Sequence, residues 1–389
     1  MALNKTSIVK PDNVLRDMMK TRYEQFVEGK QYIEDFRSNK VPTLITSIPS
    51  LNAHLGEGIE FGTTLVVGSR SGGGKTTLKD QLVKDAINRN LNNKPISVLD
   101  FSYEMPGRDL AIRAFISATQ SSKKHLIVRN KALSNSHEKA IDETIEMYRN
   151  ARIKVIDEPT DIYNMERLMY IYMEDEKKEV KDPLFLFTVD HSILTRNLPG
   201  DSTFDTLHKL GELATKVRKQ GNVIFIILSQ LNRSIEEPIR SKPGTAANYP
   251  NSADLYGADA LLQHADMLIL IDNPAMRDLL TYGPLKIELT EPIHRYYSMF
   301  HIVKDRRNGQ AKLHLHANFT EFKFQEYGEY VTGAGVKVFI NPPDSEYGPV
   351  NNGDILSTVT NEEPKPEAIK PPYPPPNEDI SPQMFSLRD

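Results

Sequence analysis

Short, nearly unbroken apolar runs recur through the middle of the chain: Thr64 to Val67, Ile96 to Phe101, Leu184 to Val189, Val223 to Leu228 and Met267 to Ile271. Runs of this length, rich in Val, Ile, Leu and Phe and bounded by turn residues, are what strands buried on both faces look like. Between them the apolar positions fall at helical spacing, as in Leu78, Leu82, Val83 and Ile87, or Leu207, Leu210, Leu213, Ala214 and Val217. Residues 107 to 180 read as helices around one further strand, Ile153 to Asp157, with Asp161 capping a helix that carries Met165, Leu168, Met169 and Ile171. That region is expected to supply packing and no chemistry. Two later strands, Ser298 to Val303 and the alternating Ala311 to His316, are joined by the basic turn Lys304-Asp305-Arg306-Arg307-Asn308-Gly309, with Asn-Gly in the turn position. Strands alternating with helices predict an α/β fold with a twisted, mostly parallel sheet flanked by helices.

The two ends depart from this pattern. Within the first forty residues, Leu15, Met18, Met19, Phe26, Val27, Tyr32, Ile33 and Phe36 approximate a helical repeat, weakened at Gly29. A segment this short makes no core of its own, so its apolar stripe must be covered by the following domain or by a neighbouring subunit. Beyond Asn341 proline accumulates and apolar residues thin out, which predicts a disordered tail, with Met384, Phe385 and Leu387 as a candidate docking peptide. The expected division is 1–42 as an N-terminal helical segment, 43–342 as the α/β domain and 343–389 as the tail.

Composition refines this only at points. The chain has no cysteine, which excludes disulfides and thiolate chemistry. No apolar run reaches membrane-spanning length and no signal-peptide pattern opens the chain, so the cytoplasm is the default compartment and no membrane partner is expected. The net charge of -4 arises in the tail, where residues 344 to 389 carry nine acidic and three basic side chains, leaving the rest at about +2. Such a balance neither demands nor forbids nucleic acid.

The chemistry concentrates where strands end. Thr64 to Val67 runs into Gly68-Ser69-Arg70-Ser71-Gly72-Gly73-Gly74-Lys75-Thr76-Thr77, a phosphate-binding loop followed by an amphipathic helix. The glycines let backbone N–H groups approach phosphate oxygens, and the helix directs its positive end at them. The predicted nucleotide contacts are Ser69, Arg70, Ser71, Gly72, Gly73, Gly74, Lys75, Thr76 and Thr77, with Lys75 on the β and γ phosphates and Thr76 on Mg²⁺. The common spacing has glycine where Ser69 stands, a mild departure. Glu104, just past the second strand, is a candidate base for an attacking water, and Asp190, closing an apolar strand, is the metal-side carboxylate. Gln230 ends the next strand at the same edge, placed to sense a γ-phosphate. The stretch from Ile235 to Ser252, with Arg240, Lys242 and no apolar period, reads as a long mobile loop. His314 and His316 share one face of their strand; a solvated edge, not a metal, is the expectation.

These strand-end motifs, in this order, resemble the ATPase domain of the DnaB family of hexameric replicative helicases, whose fold is RecA-like. The likeness covers about residues 43 to 325. In that family a small residue stands at the place of Ser69, the catalytic glutamate lies in a sequence matched by Ser102-Tyr103-Glu104-Met105-Pro106, and Leu228 to Ser234 (LSQLNRS) is identical to the family's string. The family's metal-side aspartate is followed by Tyr, whereas Asp190 is followed by His191. The resemblance implies ATP and Mg²⁺ as cofactors, single-stranded or forked DNA as substrate with 5′-3′ polarity, and a homo-hexamer. It places the DNA-facing loop at Ala253 to Asp266, where Tyr256, Gly257 and Asp259 replace the family's contact residues, with Arg240 and Lys242 nearby. It assigns the arginine finger, supplied from a neighbouring subunit, to Arg307, with Lys304 or Arg306 in the role of an adjacent basic residue. The forty N-terminal residues are too few for the collar domain of chromosomal relatives and resemble instead the helix that links one ATPase domain to the next, as in a phage or plasmid version. Primase, loader or other replisome proteins would engage that helix or the tail. Two other functions remain open: a RecA-like recombination ATPase, and a DNA-stimulated adaptor or loader without processive unwinding.

Overall fold

The computed structural model describes residues 19–88, 94–289, 297–319, 321–326, 328–331 and 337–340. The expected tail and its Met384-Phe385-Leu387 motif lie outside the described residues, as do the first eighteen positions.

In chain order the elements are α1 (Arg22–Arg37), β1 (Thr43–Leu44), α2 (Pro49–Leu55), β2 (Ile59–Glu60), β3 (Thr64–Ser69), α3 (Lys75–Asn88), β4 (Ile96–Ser102), α4 (Gly107–Thr119), α5 (Lys123–Leu126), α6 (Asn135–Asn150), β5 (Ile153–Ile156), α7 (Ile162–Glu179) and β6 (Leu184–Asp190). There follow α8 (Thr203–Arg218), β7 (Val223–Gln230), a run of 3-10 turns, α9 (Ala258–Leu262), β8 (Met267–Asp272), β9 (Thr281–Tyr282), β10 (Ile287–Glu288), β11 (Tyr297–Asp305), β12 (Ala311–Asn318), β13 (Lys323–Gln325), β14 (Gly328–Val331) and β15 (Lys337–Ile340).

The principal sheet has nine strands in the order β13-β12-β11-β8-β3-β7-β6-β4-β5. The six from β8 to β5 are parallel, and β11, β12 and β13 extend the sheet antiparallel from β8. Every residue of β3, β4, β6 and β8 is buried, which is why these strands appear in the sequence as continuous apolar runs. Alternate side chains divide between two cores. On one face Leu65, Val67, Leu186, Ile226 and Ile269 pack against Leu78 and Leu82 of α3 and Leu51 of α2. On the other, Val66, Phe187, Val189, Phe225 and Leu268 pack against Met165 and Met169 of α7 and Leu210 and Ala214 of α8. Asp161 caps α7 as expected, accepting from the Asn164 N–H at 3.0 Å.

Three expectations change. Gly29 does not weaken the first helix: α1 is continuous, opened by a capping box between Thr21 and Glu24. None of its residues is buried, and Tyr23 and Phe26 remain 77% and 68% exposed. Its apolar stripe is therefore largely uncovered, and only its C-terminal end meets its own domain, where Phe36 is half-buried and the Tyr32 hydroxyl donates to Glu60 at 2.6 Å. β13 pairs with β12 from His316 to Asn318, so β12 is not an open edge there, and His314 and His316 are half-buried. His314 Nδ1 meets the Tyr297 hydroxyl at 2.9 Å, and burial holds both imidazoles near a pKa of about 4, hence neutral. Among the described residues no cluster of three His, Asp or Glu is arranged to hold a metal, and no helix is long and apolar enough to cross a membrane.

The segment from Ile235 to Ser252, expected to be a long mobile loop, is folded into successive 3-10 turns cross-braced by two arginines. Arg240 pairs with Asp254 at 2.8 Å and donates to the carbonyls of Ala247 and Tyr249. Arg277, 2% exposed, pairs with Asp272 at 2.5 Å and donates to the carbonyls of Ile235 and Asn248.

Candidate active site at the carboxyl edge of the sheet

The central position of β3, between β7 and β8, puts its carboxyl end at the middle of the sheet edge, where open α/β sheets bind ligands. The chain leaves β3 through Ser69 to Gly74. Gly72 and Gly74 have φ of +75° and +101°, values that L-residues rarely adopt. A Cβ on Gly74 would come within 2.5 Å of the Phe324 ring, and one on Gly73 within 3.0 Å of Ser69 Oγ. Ser69 itself donates to the Arg70 carbonyl at 2.8 Å, so this small hydroxyl fits inside the turn that the glycines make. The Leu78 N–H bonds back to the Gly74 carbonyl at 2.9 Å, and the earlier N–H groups at the start of α3 are left facing the loop.

Lys75 is 6% exposed, and burial lowers its pKa against the opposing charges of Glu104 and Asp190. Those two carboxylates reach it because β4 and β6 are neighbours in register, with Ser102 opposite Asp190. The Asp190 carbonyl accepts from the Tyr103 N–H at 2.5 Å and the Glu104 N–H at 3.3 Å, which fixes the exposed Glu104 beside the strand end. Asp190 is fully buried, and neither of its carboxylate oxygens has a hydrogen-bond donor. Burial pushes its pKa up to about 6 despite Lys79 at 3.9 Å and the approaching Thr76 hydroxyl. An orphaned buried carboxylate next to a threonine hydroxyl at a phosphate loop suits a Mg²⁺ whose other ligands are water and phosphate oxygens. His191, joined to Asp190 by a cis peptide, is buried and kept neutral with a pKa of about 4 by burial and the Lys75 charge.

Gln230 stands opposite Ser69 at the end of the β3–β7 register. The Leu231 N–H bonds to the Ser69 carbonyl at 2.9 Å, and the Gln230 carbonyl accepts from the Tyr256 N–H at 2.8 Å. This strand end therefore touches the phosphate loop on one side and the segment containing Tyr256, Gly257 and Asp259 on the other. Tyr256 is 43% exposed, Asp259 and Lys242 are also exposed, and Gly257 has φ +69° with Leu207 where a Cβ would be. Arg240 is different: its guanidinium is engaged within the segment and is not free to contact a phosphate backbone.

Arg307 is not brought to the site. β11 runs antiparallel to β8, so the turn after Asp305 lies beside Met267, at the amino end of the parallel strands. The six residues of β3 separate that end from the phosphate loop, about 20 Å at roughly 3.3 Å per residue. There Lys304 donates to the Leu262 carbonyl, Arg306 pairs with Asp266 at 3.3 Å and donates to the Gln263 carbonyl, and Arg307 pairs with Glu60.

Several contributors escaped the reading of the sequence. Lys79, one turn beyond Lys75, is fully buried and lies 2.7 Å from Asp100 and 3.2 Å from Asp80, while Thr188 donates to Asp100 at 2.5 Å. The available signal was an aspartate inside a strand otherwise buried on both faces, with a lysine on the helix above it. Arg113 of α4 reaches Asp80 at 3.3 Å and Thr77 at 3.3 Å, so the 107–180 region also braces the loop helix by polar contacts.

Residues 43–325 match the profile of the DnaB-like helicase C terminal domain. The chain is 29% identical over 220 residues to "Replicative DNA helicase DnaB" of Buchnera aphidicola subsp. Acyrthosiphon pisum (strain APS), covering 55% of this chain and 43% of that protein. It is 28% identical over 220 residues to the protein of the same name from Buchnera aphidicola subsp. Schizaphis graminum (strain Sg), with the same coverage. It thus spans less than half the length of these relatives. In three dimensions it resembles a DnaB-like replicative helicase studied with its interactions with primase, at a TM-score of 0.61 and 17% identity over 79% of this chain and 67% of that one. The fold is accordingly a RecA-like one with a mixed, mostly parallel sheet. With the family profile spanning most of its length, the chain belongs to the DnaB-like helicase C-terminal domain family.

Proposed function

We propose that the protein is an ATP-dependent replicative DNA helicase that works as a homo-hexameric ring translocating on single-stranded DNA. The observation that carries this reading is that the residues assigned to catalysis divide between the two ends of one sheet. Lys75, Glu104, Asp190 and Gln230 gather at the carboxyl edge, while Arg307 stands at the amino edge, out of reach of its own phosphate loop. A second copy placed head to tail closes the gap.

In that arrangement Lys75 and the backbone of residues 69 to 74 hold the ATP phosphates. Thr76 and Asp190 would hold Mg²⁺, whose charge would offset that of the phosphates. Glu104, exposed and beside Lys75, accepts the proton of the attacking water, and Arg307 of the next subunit stabilises the charge on the transferring phosphoryl group. Gln230 passes the phosphate state to Tyr256 through its own backbone. Lys242, Tyr256 and the backbone around Gly257 and Asp259 offer a surface for DNA, gripped without sequence readout. The largely uncovered stripe of α1 fits the linker role, seated on the neighbouring subunit, and α1 or the tail is where primase or a loader would engage.

Arg307→Ala should leave assembly intact in a mass measurement with nucleotide and single-stranded DNA, and lower ATP turnover by roughly 10³-fold or more. Normal turnover in this variant would sink the trans-site reading. Strand displacement on a forked duplex decides between helicase and adaptor: a ring that hydrolyses ATP without unwinding favours the adaptor.

A further inference from the structure

Arg70 belongs to the phosphate loop by sequence, yet its guanidinium is engaged by residues outside the loop. Nη1 donates to the Met276 carbonyl at 2.6 Å and Nη2 pairs with Glu236 Oε1 at 2.6 Å. Its own carbonyl accepts from Ser69 Oγ and from the Gly73 N–H at 3.0 Å, so the residue is rooted in the turn that would enclose the nucleotide. Met276 meets the loop a second time, its terminal methyl lying 3.4 Å from where a Cβ on Gly72 would be. The neighbouring Arg277 carries the contact onward to the Ile235 and Asn248 carbonyls at 3.3 and 2.7 Å. Asn248 in turn donates to the carbonyls of Arg240 and Lys242 at 2.8 and 2.9 Å. One polar frame therefore runs from the phosphate loop to the 235–254 segment, and Arg70 is its joint made by a side chain of the loop, beside the backbone link from the Ser69 carbonyl through the Leu231 N–H.

We propose that Arg70 is a nucleotide-responsive strut: without nucleotide it holds Glu236 and the Met276 turn against the phosphate loop, and arriving phosphate charge draws the guanidinium off Glu236 and frees the segment. The physics suits a switch. The pair is partly exposed, 23% for Arg70 and 46% for Glu236, and such pairs are weak enough to exchange partners. The segment responds because its differential contact with the two states is this one guanidinium. The inference rests on the nucleotide-site reading above, and it assigns to Arg70 a coupling role beside the one given to Gln230.

The chain contains no tryptophan, so Ile239→Trp, at a position 57% exposed and three residues from Glu236, gives a single fluorescent reporter on the segment. In DNA-free protein, Mg²⁺ with a non-hydrolysable ATP analogue should change its emission. Adding Glu236→Ala should leave the emission unresponsive and already at its nucleotide-bound value, with analogue affinity unchanged or up to about fivefold tighter because a competing carboxylate is gone. A silent reporter despite analogue binding, an undiminished response in the Glu236→Ala background, or weaker analogue binding there would each overturn the strut. Failure of the analogue to bind at all overturns the nucleotide site and the strut together. Loss of unwinding with the reporter behaviour intact would instead overturn the helicase reading and leave the strut standing.

Discussion

Replacing Asp190 with asparagine should make the protein at once more stable and inactive. The carboxylate is fully buried with only Lys79 at 3.9 Å and the Thr76 hydroxyl near it, and burial outweighs both, lifting its pKa from 3.8 to about 6. At about 1.4 kcal/mol per tenfold in proton affinity, this rise amounts to roughly 3 kcal/mol. The sign follows from linkage. Below 3.8 both folded and unfolded chains carry the proton and nothing is lost; between 3.8 and about 6 the folded chain binds more protons, so its stability falls as pH rises; above about 6 the full cost is present. Asparagine keeps the shape and removes the charge. Unfolding followed by heat or urea, without nucleotide or Mg²⁺ and at fixed protein concentration, should show Asp190→Asn more stable than wild type by up to about 3 kcal/mol at pH 7.5, several degrees in midpoint. The advantage should shrink through pH 5 and vanish near pH 4. Mg²⁺ with ADP should then stabilise the wild type and not the variant. Equal stability at pH 7.5, or an advantage that persists at pH 4, would refute the view that this carboxylate is held charged at a cost for the sake of the metal.

Two further substitutions probe the frame of the site. Lys79→Met leaves Asp100 and Asp190 buried without their cation and should cost about 3–5 kcal/mol in urea unfolding, part of which Asp100→Asn in the same chain should restore. Gly74→Ala combines a φ of +101° with a contact at 2.5 Å to the Phe324 ring, so titration with a fluorescent ADP should show affinity reduced at least about tenfold.

The candidate site was legible where its residues sit at the ends of strands. A strand buried on both faces is a continuous apolar run, so the residue that breaks it, Asp190 or Gln230, announces the carboxyl edge of the sheet. The phosphate loop was legible because glycine has a conformational reason to be there. What could not be read were pairings made across the fold. Nothing local says that Arg240 is consumed by Asp254, that Arg70 turns toward Glu236, or that β13 pairs with β12 from His316 to Asn318. Nor does helical spacing say whether the stripe of α1 meets its own domain; Gly29 costs about 1 kcal/mol relative to alanine, too little to break a helix so well capped at Thr21.

The opposite placement of Lys75 and Arg307 gives each copy a socket at one end of its sheet and a plug at the other. On the function proposed, hydrolysis then counts junctions and not polypeptides. A lone subunit has no working site, an open chain of subunits always wastes one socket and one plug, and only a closed circle uses every copy of both. Closure becomes a condition that the ATPase can feel, so an assembly that has not yet encircled its strand, or has been pried open to admit one, carries at its gap a site that cannot fire.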